Sequence, residues 1–175
     1  MPYYPPEESG YYLKRGHFVD QCCDILAQGL ECDARTMQLG LQHRVKPLSK
    51  NGETEQWAGY VAAFVAWMVR HDVKYLSGQQ RVVNPAERYG GTYDLLLRID
   101  GSPTLIDLKC GTCPKYTALQ TALYALCVDH ERRLGLELHA DGTFKECWYT
   151  DYRDYDRARL LARAYWTFGP ESEYR

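Results

Sequence analysis

The chain has 175 residues, 45% of them hydrophobic, with 21 basic side chains against 23 acidic ones and a formal net charge of −2. This is the size and composition of a single folded domain, which excludes broad disorder and leaves no room for two substantial domains. The near-neutral balance excludes a binder that holds nucleic acid by diffuse positive charge, but not an enzyme whose carboxylates offset a locally basic groove.

Residues 1–12 are rich in Pro and Tyr and read as irregular. From Gly16 the spacing turns helical: Phe18, Cys22, Ile25, Leu26 and Leu30 form one apolar stripe, and Gly29 weakens its end. Residues 33–54 are polar and read as a loop ending in Ser49-Lys50-Asn51-Gly52. Thr54 is positioned to cap a helix over 55–71 whose buried face is Trp57, Val61, Phe64, Val65 and Met68. The period then drops to two. Strands are expected over 73–83 and 88–99, the first closed by Asn84-Pro85, with a third over 104–110 beyond the hairpin signal Asp100-Gly101. Pro114 opens a helix with Tyr116, Leu119, Leu123, Leu126 and Cys127 on its apolar side. A second hairpin, 132–140 with 143–150, turns at Asp141-Gly142. Asp151 or Asp154 caps a last amphipathic helix to about Trp166, with the charges of 151–163 on its solvated face. The order is α-α-β-β-β-α-β-β-α, without repeats.

The seven cysteines (22, 23, 32, 110, 113, 127 and 147) do not have the spacing of a small secreted scaffold. The N-terminal residues show no cationic segment followed by an apolar run, and the longest apolar stretch, Tyr60 to Val69, is about half a membrane span. A reduced, soluble, cytoplasmic protein with no membrane association is expected. Cys110-Gly-Thr-Cys113 has the spacing of half a zinc site, but neither a second such pair nor a recognisable remaining half follows. No structural metal is therefore expected, and Cys22, Cys23 and Cys127 read as small apolar core residues.

The chemistry concentrates in Gly90-Gly91-Thr92-Tyr93-Asp94, Leu105-Ile106-Asp107-Leu108-Lys109 and Gln120-Thr121-Ala122-Leu123-Tyr124. Asp107 and Lys109 lie two apart on a strand, so they leave it on the same face, among apolar neighbours. Pairing about the Asp100-Gly101 turn brings Asp94 opposite Asp107. Two carboxylates in one apolar site do not both ionise without a cation, and their hard oxygens suit Mg²⁺ or Mn²⁺. The two glycines let the backbone approach a ligand, or simply bulge the strand.

Taken together, Gly-Thr-x-Asp, an apolar strand ending Ile-Asp-x-Lys and a helix carrying Gln-x-x-x-Tyr resemble the PD-(D/E)XK nuclease superfamily, in particular its RecB-like exonuclease branch, which includes many phage-encoded recombination nucleases. The resemblance covers about residues 13–128. It implies an α/β fold with a restriction-endonuclease-like core, a central mixed sheet flanked by helices (α-β-β-β-α-β plus a C-terminal strand and helix). It implies a metal site of Asp94, Asp107 and the carbonyl of Leu108, with His17 as a further ligand. Lys109 is implied as the catalytic lysine, with Gln120 and Tyr124 facing the site and the DNA backbone. Some RecB-like relatives also carry an iron–sulfur cluster, whose C-terminal cysteines this sequence lacks.

Arg88, Lys74, Arg81 and Lys115 are candidate phosphate contacts, and Tyr116 and Tyr124 candidates for stacking on or hydrogen-bonding nucleic acid. Glu87 is a weaker acidic candidate near Asp94, where relatives carry a Glu close to Gln79-Gln80. The resemblance implies Mg²⁺- or Mn²⁺-dependent hydrolysis of DNA leaving a 5′-phosphate, and an exonuclease is expected rather than a site-specific endonuclease, since the family members it resembles process DNA ends and no target-recognition domain is seen. Double- or single-stranded DNA is the expected partner, in end processing or recombination, and a homo-oligomeric ring would provide processivity. The alternatives are a non-catalytic nucleic-acid- or protein-binding module on the same fold, a structure-specific endonuclease and an RNA nuclease.

Overall fold

The computed structural model describes residues 6–32, 49–50, 53–54, 57–129 and 132–168. Helix α1 (Pro6–Ala27) is followed by a two-stranded ribbon, β1 (Ser49–Lys50) and β2 (Glu53–Thr54), and by helix α2 (Ala58–Met68). Then come β3 (Val73–Asn84), β4 (Tyr89–Ile99) and β5 (Ser102–Cys110), helix α3 (Thr117–Val128), β6 (Arg132–Leu138), β7 (Phe144–Trp148) and helix α4 (Arg153–Phe168). The five long strands form one sheet in the order β3-β4-β5-β6-β7. Neighbours are antiparallel except β5 and β6, which run parallel because α3 crosses between them. The expected α/β architecture, a mixed sheet flanked by helices, is present and compatible with a restriction-endonuclease-like core.

The sheet carries helices on both faces. Leu95, Leu97, Ile99, Ile106, Leu108, Leu134, Leu136 and Leu138 pack in one core with α1 and α2. Leu96 and Leu105 join a smaller cluster with Tyr93, and Tyr124 and Val128 of α3 pack against it. Helix α4 packs along α3. The turn Asp100-Gly101 adopts positive φ at both residues (50° and 87°), the conformation of a two-residue type I′ hairpin, which sets Ile99 against Ser102.

Several local expectations are corrected. Residues 6–12 are helical, the first turns of α1, with Tyr11 buried and hydrogen-bonded from Trp57 Nε1 at 2.9 Å. The amphipathic stripe thus begins earlier than the Pro-rich composition suggests. It also ends earlier: Gly29, at φ 77°, stops the helix, and Leu30 is exposed. Thr54 pairs with Ser49 in the ribbon, so it does not cap α2, whose N-cap position, Trp57, makes no side-chain cap bond. The buried face of α2 is rotated to Tyr60, Val61, Ala63, Phe64 and Trp67, leaving Val65 exposed. The polar stretch 33–48 lies outside the described residues.

Asp151 caps α4 by accepting the Arg153 N–H at 3.0 Å, but Asp154 is not on a solvated face. It is buried against Arg133 of β6, 3.2 Å from its guanidinium, which also donates to the carbonyls of Ala118 and Asp151 and lies over the Tyr155 ring. A buried cation with a carboxylate and two carbonyls is a compensated one. Among the described residues, no helix is long and apolar enough to cross a membrane.

Candidate active site

The sheet opens at the site. β4 and β5 pair from Ile99↔Ser102 to Leu95↔Ile106. Beyond that point β4 remains paired to β3, from Tyr93↔Gln80 to Tyr89↔Asn84, while β5 remains paired to β6 as far as Cys110↔Leu138. Asp94 and Asp107 are the first residues past the last rung, the juxtaposition expected from the turn. The Leu108 N–H donates to Asp94 Oδ2 at 2.7 Å, so a side chain takes a backbone donor where the ladder has parted.

Asp107 is 2% exposed. Lys109, two residues on and on the same face, forms an ion pair with Asp107 Oδ2. Lys109 is the partner of that oxygen.

Asp20 of α1 is the third carboxylate, and sequence reasoning missed it. Burial, then the charge of Asp94 and, against the pull of Lys109, that of Asp107 push its pKa up to about 8. Burial and Asp107 push Asp94 up to about 7, while the Leu108 N–H and Lys109 draw it down. Burial raises Asp107 too, opposed by Lys109. Burial works to lower Lys109, but Asp107, Asp94 and Asp20 outweigh it and hold the ammonium above the ordinary lysine value.

Fully ionised, this group would carry three negative charges against one positive. It is relieved either by protons or by a divalent cation. The carboxylate donors are all oxygen, the type Mg²⁺ or Mn²⁺ takes, and a cation there would share Asp107 with the Lys109 ammonium. Among the described residues, no three ligand atoms of His17, Asp20, Asp94 and Asp107 lie within 4.8 Å of one another.

The remaining candidates divide. His17 is exposed, one turn before Asp20 on the same helix, so α1 sends a carboxylate to the cluster. The available signal was a charged residue three positions after His17 inside the buried stripe Phe18, Val19, Cys22 and Cys23. Gln120 Nε2 donates to Tyr124 Oη at 3.3 Å. Tyr124 packs on the cluster containing Leu105, whose face Asp107 and Lys109 share by strand alternation, so the Gln120–Tyr124 helix lies on the side of the sheet that carries the Asp107–Lys109 pair. A Cβ on Gly91 would come within 2.6 Å of the Tyr124 ring, so Gly91 serves this close approach.

Arg88, Lys115 and Tyr116 are exposed, as are Lys74 and Arg81. Glu87 is occupied elsewhere. It holds Arg163 of α4 in a two-pronged ion pair, at 2.7 and 2.9 Å, and is thereby kept below its ordinary pKa. Trp166 Nε1 donates to the Arg88 carbonyl at 2.7 Å and completes this latch between α4 and the β3–β4 turn.

No family model matches the chain, and no curated protein matches it. Among solved structures, the chain is similar to one described as the crystal structure of SSO0001, with 13% identity, a TM-score of 0.42, and coverage of 89% of this chain and 75% of that one.

Proposed function

We propose that the protein is a metal-dependent nuclease that hydrolyses phosphodiester bonds in DNA, acting from ends as an exonuclease in DNA processing or recombination. The observation that carries this reading is the gathering of the half-buried Asp20 and Asp94 and the buried Asp107 around Lys109 where β4 and β5 part. A structural ion pair needs one carboxylate per cation. Three carboxylates whose ionisation is held back by burial and mutual repulsion are an arrangement typical of a site with a task.

Asp94 and Asp107, with the Leu108 carbonyl, would hold Mg²⁺ or Mn²⁺, which when bound supplies a water activated near neutral pH and draws charge from a phosphate oxygen. The chain's own groups do the rest. The Leu108 N–H fixes the orientation of Asp94. Lys109, anchored by Asp107, presents an ammonium that orients the attacking water and stabilises the extra negative charge of the transition state. Gln120 and Tyr124 hold each other on α3 and offer an amide and a hydroxyl to the DNA backbone. The exposed Arg88, Lys115 and Tyr116 extend phosphate and stacking contacts away from the centre. The preference for ends rests on the sequence resemblance.

The test is incubation of linear and circular DNA, single- and double-stranded, with Mg²⁺ or Mn²⁺, comparing the wild type with Asp107→Ala. Degradation of linear DNA only, dependent on the ion and lost in the variant, is the expected result. Cleavage of circles would replace the exonuclease reading by an endonuclease. No degradation of any substrate would leave a binding module in its place. A homo-oligomer belongs to the same proposal, and a strict monomer by light scattering would remove it.

A further inference from the structure

A second, chemically different cluster lies one strand away from the carboxylates. Cys113, in the segment between β5 and α3, meets Glu137 of β6 and Cys147 of β7. Their ligand atoms all lie within 4.8 Å of one another. The sequence spacing pairs Cys113 with Cys110; the fold pairs it with Cys147, 34 positions further on, because β6–β7 register sets Cys147 opposite Gly135. Gly135 is the floor of the cluster: a Cβ there would come within 2.8 Å of Cys113 Sγ and 2.5 Å of the Tyr149 hydroxyl.

We propose that Cys113, Cys147 and Glu137 form a binding site for a borderline-soft divalent cation of the zinc type, separate from the hard-ion site at Asp94 and Asp107. A tetrahedral ion with sulfur at about 2.3 Å and oxygen at about 2.0 Å needs its ligand atoms roughly 3.5–3.8 Å apart. Cys147 Sγ stands 3.5 Å from Glu137 Oε1.

Glu137 is 3% exposed. Its carboxylate is already oriented as an outer hydrogen bond orients a metal ligand, by the Cys113 N–H, which donates to Oε1 at 2.8 Å. Burial and the neighbouring Cys147 push the Cys113 thiol up to about 12, so without a cation both sulfurs keep their protons, and Cys147 donates its own to Glu137. Binding replaces those protons: one divalent cation and two thiols with the ionised carboxylate give a complex of charge −1 and two released protons. Lys145, 3.5 Å from Glu137 Oε2, balances the remaining charge. Thiolates select against Mg²⁺ and Mn²⁺, so the two sites divide the available ions by softness. Three protein ligands leave one tetrahedral position, for water or the Tyr149 oxygen beside Cys113.

The placement suggests what the ion would do. In the parallel β5–β6 register Lys109 is the partner of Glu137, and Asp107 of Gly135. A cation tying Cys113 to β6 and β7 clamps the segment that leaves β5 directly after Lys109.

The test uses reduced full-length protein and Co²⁺ as a spectroscopic stand-in. One equivalent should bind with a thiolate-to-cobalt charge-transfer band, displaceable by one equivalent of Zn²⁺. Cys113→Ser and Cys147→Ser should each reduce the band and weaken Zn²⁺ binding at least tenfold, with circular dichroism confirming the fold. Where a variant does not fold, alkylation of the native wild type followed by peptide mass spectrometry gives the second readout: Zn²⁺ should protect Cys113 and Cys147. Absence of a thiolate band, a band retained in both folded variants, or protection of other cysteines would overturn the proposal. So would a native protein in which Cys113 and Cys147 are found joined with the loss of two hydrogens. None of these readouts depends on nuclease activity.

Discussion

The carboxylate cluster makes a quantitative prediction for Asp94→Asn. Asp94 ionises near 3.8 in the unfolded chain and at about 7 in the fold. Between those values the folded protein holds a proton that the unfolded chain has released. Stability without a divalent cation should therefore fall as pH rises from about 4 to 7, and stay low above that. The displacement corresponds to about 4 kcal/mol at roughly 1.4 kcal/mol per pH unit. Asparagine keeps an oxygen to accept the Leu108 N–H but cannot ionise, so this part of the pH dependence should disappear. For a chain of this size about 4 kcal/mol is roughly 8–16 °C in Tm. The assay is thermal unfolding in chelator from pH 5 to 8. The wild type should lose stability over that range and the variant should lose about 3 kcal/mol less, the Asp94 share between pH 5 and 7, while the raised Asp20 and Asp107 keep theirs; the variant should become the more stable of the two at pH 8. Adding Mg²⁺ at pH 8 should stabilise the wild type and leave the variant nearly unchanged. A pH-independent wild type, or a variant destabilised at pH 8 in chelator, would refute the account of Asp94 as a carboxylate awaiting a cation.

Other expectations follow from individual contacts. Under the proposed function, Lys109→Met should slow single-turnover cleavage by roughly 100- to 10,000-fold while gel-shift affinity for DNA persists, because the proposed role of the lysine is on charge formed in the transition state. Asp154→Ala should cost about 3–5 kcal/mol in urea unfolding, because it leaves the buried Arg133 guanidinium without its carboxylate. Gly91→Ala should cost about 1–3 kcal/mol by forcing the Tyr124 ring aside, and the penalty should shrink in a background of Tyr124→Ala, read as a double-mutant cycle. Glu87→Gln should leave cleavage unchanged, since Glu87 is held by Arg163; loss of cleavage there would return Glu87 to the site.

The periodicity of the chain carried most of the architecture. Alternation over 73–110, interrupted by Asp100-Gly101, determined three antiparallel strands, because a two-residue turn with positive φ leaves one register open to its flanking residues. That register in turn brought Asp94 to Asp107 and left Lys109 beside them, so the centre of the site was legible in local rules alone. The tertiary structure decided what local rules do not reach. Asp20 became part of the site because α1 packs its buried face against the sheet, and a helix's position on a sheet is a long-range matter. Asp154, expected on a solvated face, and Glu87, a weaker candidate for the site, became paired groups through partners 21 and 76 positions away. Cys113 met Cys147 and Glu137 only because β7 returned alongside β6. Sequence spacing constrains groups on one strand or one helix turn. Charges and thiols from separate elements meet only where the packing of those elements brings them together. The near-zero net charge read first from the composition therefore says little about the sites, which depend on where a few of those charges lie.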